Sequence, residues 1–291
     1  MTTQGQVNIL VEGPDGAGKD SLVIPEIAAW AKRYYGRGST VTQVPVPGFT
    51  PAGQQLRYIV KNIHTSLSAI AQMSLFLTDM RLTLDALREM YTPGATGVNI
   101  FSRWAFSTYA YQCVANKVPL TTLISAMKYM LGAKIARYED RMLRNYEKQV
   151  LDSDISYAEY TGVMDCYALE TLFHTPAFDI VFILYADLIV LLPRQHKRGD
   201  TTKDRFEANL RTQRLTALAY LRLAESFIEN PRLKDLEIEL GANTTYVKVR
   251  KTEGTKQHKG IIFVLVDVTA NKRKLRSELR KVLAVLPKLW E

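Results

Sequence analysis

The chain has 291 residues, of which 47% are hydrophobic and 23% charged, and this is enough apolar material for one large core. It has no apolar run near the roughly 18 residues of a membrane span, no signal-peptide pattern at its N-terminus, and too few cysteines for a disulfide framework, so we expect a cytoplasmic protein with no membrane partner. The formal net charge of +9 implies anionic partners, and nucleotides, nucleic acids and acidic surfaces all fit that charge.

Short apolar runs typical of buried parallel strands alternate along the chain with longer segments of helical periodicity. This order predicts an α/β fold with a central parallel sheet. The predicted strands are 7–11, 39–44, 97–101, 178–185 and 261–268. The predicted helices are 22–35, 53–62, 67–90, 120–149 and 204–228. We read a single domain, 1–291, with an extended helical insertion at 113–176.

Two further segments lie near the C-terminus. Residues 247–260, VKVRKTEGTKQHKG, predict a hairpin with a polar tip just before the last strand. The basic segment NKRKLRSELRK carries Leu275 and Leu279 at helical spacing, which favours a solvated helix face over a nucleic-acid site. We therefore do not expect a nucleic-acid partner.

Residues 9–23, ILVEGPDGAGKDSLV, contain a phosphate-binding loop. They match G-x-x-x-x-G-K directly after an apolar strand and before a helical pattern, which is the context that this motif requires. Glycines let backbone N–H groups point at phosphate oxygens, the helix N-terminus adds partial positive charge, and Lys19 reaches the β and γ phosphates. The predicted nucleotide-binding residues of this loop are Gly13, Asp15, Gly16, Ala17, Gly18, Lys19, Asp20 and Ser21.

Asp20 stands where this motif ordinarily carries a Ser or Thr hydroxyl that binds Mg²⁺. Its carboxylate oxygen is also a hard ligand suited to that ion, so Asp20 is the predicted metal ligand. Ser21 follows on a different side of the helix and is a poorer candidate. Pro25, which lacks an N–H, predicts a bend in the first helix.

Behind the loop, five further segments resemble, in order, the motifs of the thymidylate kinase family. They are PGFTPAGQQLR (47–57), FLTDMR (76–81), SRWAFSTYAYQ (102–112), RQHKRGDTTKDRFE (194–207) and VDVTAN (266–271). The resemblance implies a P-loop nucleoside monophosphate kinase fold with helices on both faces of the sheet. It also implies transfer of a phosphoryl group from ATP, with Mg²⁺, to dTMP or another deoxynucleoside monophosphate. It extends to divergent viral members, for which the compartment would be the host cytoplasm.

The resemblance also implies roles for individual residues. It places the acceptor beside Pro47, Arg57, Phe76, Arg81, Arg103, Tyr111 and Gln112, and the adenine beside Asn271. Residues 194–207 would form a lid whose arginines meet the charge of the transferring phosphoryl group. The catalytic residues implied in this way are Lys19, Arg103, Arg194 and Arg198. We also expect a homodimer; the inserted helices could form its surface, a partner site or a cap over the acceptor pocket.

Three positions depart from the family pattern. Ser102 replaces an aspartate that helps to organise Mg²⁺, and we hypothesise that Asp20 supplies the missing charge. Pro45 and Val46 replace an Arg-Glu pair, which removes one contact with the acceptor. The family's stacking phenylalanine aligns with Leu77, one place after Phe76.

Two alternative functions stay open. The chain could be a deoxynucleoside kinase, whose acceptor is a hydroxyl and which benefits from a carboxylate base; Glu12 is the available candidate. It could also be a P-loop module that binds nucleotide without turnover, built on the inserted helices. The acceptor-site arginines favour the monophosphate kinase.

Overall fold

A seven-stranded sheet forms the centre of the protein in the computed structural model, which describes residues 6–36, 39–62, 66–91, 96–132, 172, 178–196, 209–229, 234–235, 246–251 and 260–290. The strands are β1 Gln6–Glu12, β2 Thr40–Pro45, β3 Gly97–Ser102, β4 Ile180–Tyr185, β5 Lys234–Asp235, β6 Val247–Lys251 and β7 Ile262–Asp267. Their order is β2-β3-β1-β4-β7-β6-β5. The first five of these are parallel, and β6 and β5 add antiparallel pairings at one edge.

Helices cover both faces of this sheet, as predicted. They are α1 Ile24–Tyr35, α2 Pro51–Lys61, α3 Ala69–Glu89, α4 Ala105–Thr108, α5 Leu120–Leu131, α6 Leu188–His196, α7 Leu210–Glu229 and α8 Lys272–Trp290. A π-helical turn, Lys19–Val23, precedes α1, and another, Tyr109–Val114, continues α4. No helix in this described part of the chain is long and apolar enough to cross a membrane.

Two hydrophobic cores lie on opposite faces of the sheet because successive side chains of a strand point in opposite directions. Leu10 of β1 belongs to the core that includes residues of α3, α4, α5 and α7. Ile9 and Val11, on either side of it, belong to the core that includes residues of α1 and α8. The near-continuous burial of β1, β3, β4 and β7 follows from this double covering.

The predicted strands and most predicted helices are confirmed within a few residues. The hairpin at 247–260 is confirmed in its strands, since β6 pairs antiparallel with β7, while its tip lies outside the described residues. The continuous helix over 120–149 is wrong: α5 ends at Leu131, where Gly132 takes a left-handed φ of 69°. Residues 133–171 and 173–177, most of the expected insertion, also lie outside the described part.

Pro25, at which the sequence predicts a bend in the first helix, lies two residues after the π-helical turn Lys19–Val23, at the start of α1. In that turn the N–H of Ile24 donates to the carbonyl of Lys19, five residues back. Pro25, which has no N–H to donate, follows as the second residue of α1. The residue without an N–H thus lies where the π-helical turn has ended and the regular helix begins.

The carboxyl ends of the parallel strands share one edge of the sheet, and this edge brings distant motifs together. The phosphate-binding loop follows β1, and Arg103 follows β3. Val11 of β1 pairs with Ser102 of β3, and Ser102 pairs on its other side with Pro45 of β2. The loop and two of the segments that resemble the family motifs, 47–57 and 102–112, therefore meet at neighbouring strand ends.

Candidate active site

Close packing fixes the loop between β1 and the π-helical turn. Gly16 and Gly18 have φ of 85° and 88°, a region that glycine adopts at little cost. Gly13 has no room for a side chain, because a Cβ there would lie 2.8 Å from Cβ of Leu184 on β4. From α6, Gln195 Nε2 donates to the carbonyl of Asp15 at 2.8 Å. Residues of β4 and α6 thus hold the loop in shape.

The ammonium group of Lys19 lies inside this loop. Its Nζ donates to the carbonyl oxygens of Gly13 and Pro14, at 2.6 and 2.8 Å. Burial, aided by the positive charge of Arg103, lowers the pKa of this amine to about 7. A phosphate anion beside Nζ would favour its charged form.

Asp20 and Ser102, two positions at which the sequence departs from the family pattern, contact each other. Ser102 Oγ donates to Asp20 Oδ1 at 3.0 Å, and both residues line the cavity described below. No cluster of three His, Cys, Asp or Glu side chains suited to a metal occurs among the described residues. Mg²⁺ in phosphate-binding sites needs only one or two carboxylates besides the phosphates, so these oxygen donors fit that ion.

Arg103 is a half-buried cation in an unusual backbone conformation. Its φ is 73°, its N–H donates to the carbonyl of Val11 at 3.1 Å, and its guanidinium pairs with the carboxylate of Asp15. Tyr111 donates to the other carboxylate oxygen of Asp15 at 2.6 Å, and its ring centroid lies 5.6 Å from the guanidinium carbon. Burial alone would raise the pKa of Asp15, but Arg103 and Lys19 hold it well below its usual value.

A cavity of about 360 Å³ opens beside these residues, a size within the range of small-ligand sites. Its polar lining includes Asp15, Asp20, Arg57, Lys61, Ser102, Arg103 and Tyr111. Its apolar lining includes Pro45, Val46, Val60, Phe76, Met80 and Trp104. The cavity therefore combines cations that suit a phosphate group with apolar surface that suits a nucleobase.

The structure brings most, not all, of the predicted acceptor residues to this cavity. Pro47, Arg57, Phe76, Arg103 and Tyr111 line it. On α3, Phe76 faces the cavity while Leu77, the position that the family pattern favoured for stacking, is fully buried in the core.

Arg81 and Gln112 are not among the lining residues. Arg81 Nε pairs with Asp85 on the same helix at 2.8 Å, with 44% of the arginine side chain exposed, and Met80 lines the cavity instead. Gln112 is fully buried and donates to Gln72 Oε1 at 3.4 Å. The packing of the helices decides where the side chains of Arg81 and Gln112 lie, and motif spacing alone did not predict it.

The residues expected around the nucleotide base and lid are only partly described. Arg194 Nη2 donates to the carbonyl of Ala270 at 3.4 Å, next to Asn271. Asn271 Oδ1 accepts from the N–H of Lys274 at 2.9 Å and so caps α8. Ala17 is buried and Ser21 is exposed. Arg198 and the rest of the lid beyond residue 196 lie outside the described residues.

Asp79 of α3 is a site residue that the sequence analysis missed. It is fully buried, and its Oδ1 accepts from the N–H of Gly48 at 3.2 Å. A Cβ at Gly53 would lie 2.0 Å from the same oxygen, so this contact requires glycine. Arg57 Nη1 donates to the carbonyl of Pro47 at 2.9 Å, so Asp79 supports the loop onto which Arg57 folds. The sequence signal that could have identified Asp79 is that it is the one acidic residue in the largely apolar motif FLTDMR.

Burial raises the pKa of Asp79 to about 6 from 3.8. The folded state therefore binds this proton more tightly than the unfolded state, and stability from this group falls as pH rises from about 4 to about 6. We expect the isosteric, neutral variant Asp79→Asn to exceed the wild type in free energy of unfolding by on the order of 1 kcal/mol above pH 6, and to match it near pH 4. Denaturant unfolding at several pH values measures this difference. Asp85→Asn, on the exposed face of the same helix, is the control. If the free energy of unfolding of Asp79→Asn and of the wild type changed with pH in parallel, the prediction would be contradicted.

A phosphate-binding loop and an arginine-lined cavity at the carboxyl edge of a mostly parallel sheet, with helices on both faces, make this a P-loop kinase fold. The family profile of thymidylate kinase matches residues 11–134, from the end of β1 to just beyond α5. Over these residues the chain is similar to the thymidylate kinase family. The lid segment and residues 266–271 lie outside the match.

A curated thymidylate kinase of Albidiferax ferrireducens is 35% identical to this chain over 114 residues. The aligned segment is 38% of this chain and 48% of that protein. The chain therefore spans about half the length of the curated relative that it matches.

Proposed function

We propose that this protein transfers the γ-phosphoryl group of ATP to a deoxynucleoside monophosphate, dTMP or another, and forms the diphosphate. The observation that carries the proposal is that Arg57 and Arg103 line the same cavity as Asp15 and Asp20 of the phosphate-binding loop. Guanidinium groups hold phosphate oxygens with a bidentate fork. Two of them beside the donor site suit an acceptor that itself carries a phosphate.

Phosphoryl transfer requires chiefly that the two substrates are held in line, and these residues would hold them. Lys19 contacts the β and γ phosphates of ATP, while Arg103 and Arg57 hold the acceptor phosphate in line. An acceptor oxygen then bonds to the γ phosphorus as the bond to the β–γ bridging oxygen breaks, and ADP leaves. Asp20, with the Ser102 hydroxyl beside it, would hold Mg²⁺, which when bound neutralises charge on the phosphate oxygens. Arg194 and Arg198 of the lid are proposed to meet the charge of the transferring group.

Glu12 does not support the nucleoside kinase alternative. A base for a sugar hydroxyl must reach the acceptor, but Glu12 is fully buried and does not line the cavity. Its carboxylate already accepts from Trp104 N at 2.6 Å, Ser107 Oγ at 2.6 Å and Tyr220 Oη at 2.7 Å. A monophosphate acceptor needs no such base, because its oxygens are already anionic near neutral pH.

A coupled assay of ADP release across the natural nucleoside monophosphates and nucleosides tests the proposal. We expect turnover with at least one deoxynucleoside monophosphate and none with nucleosides. The panel extends beyond dTMP because Pro45 and Val46 line the cavity where the family has an Arg-Glu pair. Turnover with nucleosides alone would establish the nucleoside kinase, and nucleotide binding without any turnover would establish the binding module.

Arg103→Lys tests the acceptor side of the site. Lysine leaves Asp15 a cationic partner but cannot form the planar fork, so we expect kcat/KM for the acceptor to fall by about 10- to 100-fold with little change in the KM for ATP. Steady-state kinetics with each substrate varied in turn measures this. Arg88→Lys, which alters an exposed ion pair with Asp85, is the control. An unchanged acceptor kcat/KM in Arg103→Lys would show that Arg103 is structural.

A further inference from the structure

The carboxylate of Glu12, the last residue of β1, receives four hydrogen bonds inside the protein. Its Oε1 accepts from the backbone N–H groups of Trp104 and Ser107, at 2.6 and 3.3 Å. Its Oε2 accepts from Ser107 Oγ at 2.6 Å and from Tyr220 Oη at 2.7 Å. One oxygen thus serves backbone donors and the other serves hydroxyl donors.

The two backbone donors belong to the start of α4. Trp104 is the residue that precedes this helix, and its own side chain provides no cap. The first N–H groups of a helix have no partner within it, and a carboxylate is a favoured partner for them. Glu12 therefore caps α4 from a neighbouring strand, 92 residues away in sequence from Trp104.

Arg103 lies between the end of β3 and this cap. Its left-handed φ of 73° is unfavourable for a residue with a side chain, so surrounding contacts must hold it. On one side its own N–H donates to the carbonyl of Val11, and on the other the N–H of Trp104 donates to Glu12. Two consecutive residues of β1 therefore hold both peptide groups that flank Arg103.

The fourth donor connects the same carboxylate to a different region. Tyr220 lies on α7, which begins just after the segment assigned to the lid. Its hydroxyl lies 2.8 Å from Ser107 Oγ, and its ring packs on Phe106 of α4 at a centroid distance of 4.9 Å. Glu12 is thus the common partner of α4 and α7.

We propose that Glu12 is the positioning residue of Arg103 and that, through Tyr220, it ties the helix after the lid to the acceptor site. Glu12 acts only through other residues, since it is fully buried away from the cavity lining. The inference rests on the proposed function, because the acceptor role of Arg103 does. It differs from a base role for Glu12, in which the carboxylate would itself take a proton from the acceptor.

Three variants test the proposal. Glu12→Gln keeps the shape of the side chain but leaves one acceptor oxygen in place of two and no charge, so it cannot accept from all four donors. Tyr220→Phe removes one hydroxyl donor to Oε2. Glu278→Gln is the matched control, because Glu278 is also buried and accepts a backbone N–H, that of Tyr246 at 3.1 Å, but lies on α8 and not at the cavity.

We expect the acceptor KM to rise about tenfold in Glu12→Gln and about three- to tenfold in Tyr220→Phe, with the ATP KM unchanged within about twofold. Glu278→Gln should change neither KM. An unchanged acceptor KM in both site variants, or equal rises for both substrates, would overturn the proposal. If Glu12→Gln shows no activity at any acceptor concentration, the acceptor KM of Tyr220→Phe decides, and an unchanged value there would overturn the proposal. If Glu12→Gln does not fold, the acceptor KM of Tyr220→Phe still tests the proposal.

Amide hydrogen exchange separates this inference from the proposed function. Without any substrate, exchange at Trp104 and Ser107 should be about tenfold faster in Glu12→Gln than in the wild type, and unchanged in Glu278→Gln. If the wild type turns over no monophosphate, the proposed function fails, and the exchange rates still decide whether Glu12 holds the turn. Wild-type exchange rates at both amides in Glu12→Gln would overturn the inference.

Discussion

Lys19→Ala is expected to lower kcat for phosphoryl transfer by at least about 10³-fold while the protein stays folded. Lys19 Nζ is held inside the loop by the carbonyls of Gly13 and Pro14, so the amine is in position before the nucleotide binds, and a phosphate anion beside it then favours its charged form. The variant removes the cation that offsets charge on the β and γ phosphates. ADP release at saturating substrates measures the loss, and circular dichroism checks the fold.

Lys19→Met separates the charge from the packing of the side chain. Methionine retains an apolar stem of similar length but no cation, so it should be as inactive as alanine and closer to the wild type in melting temperature. Lys32→Ala, on the exposed face of α1, is the surface control. Undiminished turnover in Lys19→Met would refute the assignment of residues 13–20 as the phosphate site.

Asp20→Ala is expected to lower kcat by about 10²-fold and to raise the Mg²⁺ concentration for half-maximal activity at least about tenfold. Asp20 accepts from Ser102 Oγ at 3.0 Å, and among the described residues it caps no backbone N–H. Its carboxylate is thus available as an oxygen ligand on the cavity wall. Titration of activity with Mg²⁺ measures the shift. A variant that loses melting temperature but keeps the wild-type metal curve would leave Asp20 with a structural role only.

The contact between Asp20 and Ser102 permits a sharper form of this test. Asp20→Thr restores the hydroxyl of the family pattern but leaves the site one charge short, so it should keep part of the activity. Adding Ser102→Asp to Asp20→Ser moves the carboxylate to the other member of the pair. We expect this double variant to exceed Asp20→Ser in activity. A double variant that is inactive while both single variants are active would contradict compensation between the two positions.

The candidate site could be predicted from the sequence only where its signals are contiguous. The phosphate loop is a run of residues with fixed spacing, and Arg57 and Arg103 lie in motifs whose order along the chain matched a family. Arg81 and Gln112 also lie in motifs of that family, yet they do not line the cavity. A motif fixes the position of a residue on a helix but not the rotation of that helix against its neighbours, which the packing of the cores decides.

The sequence by itself determined the phosphate loop, the parallel strands and the family resemblance, because periodicity and motif spacing are local properties of the chain. Only the tertiary structure decided which side chains meet. Asp20 and Ser102 are 82 residues apart, and Glu12 and Tyr220 are 208 apart. No local pattern encodes such pairs, because they depend on strand order and on which helix faces are buried. The contact of Asp79 with the loop at Gly48 and the cap of α4 by Glu12 arise in the same way.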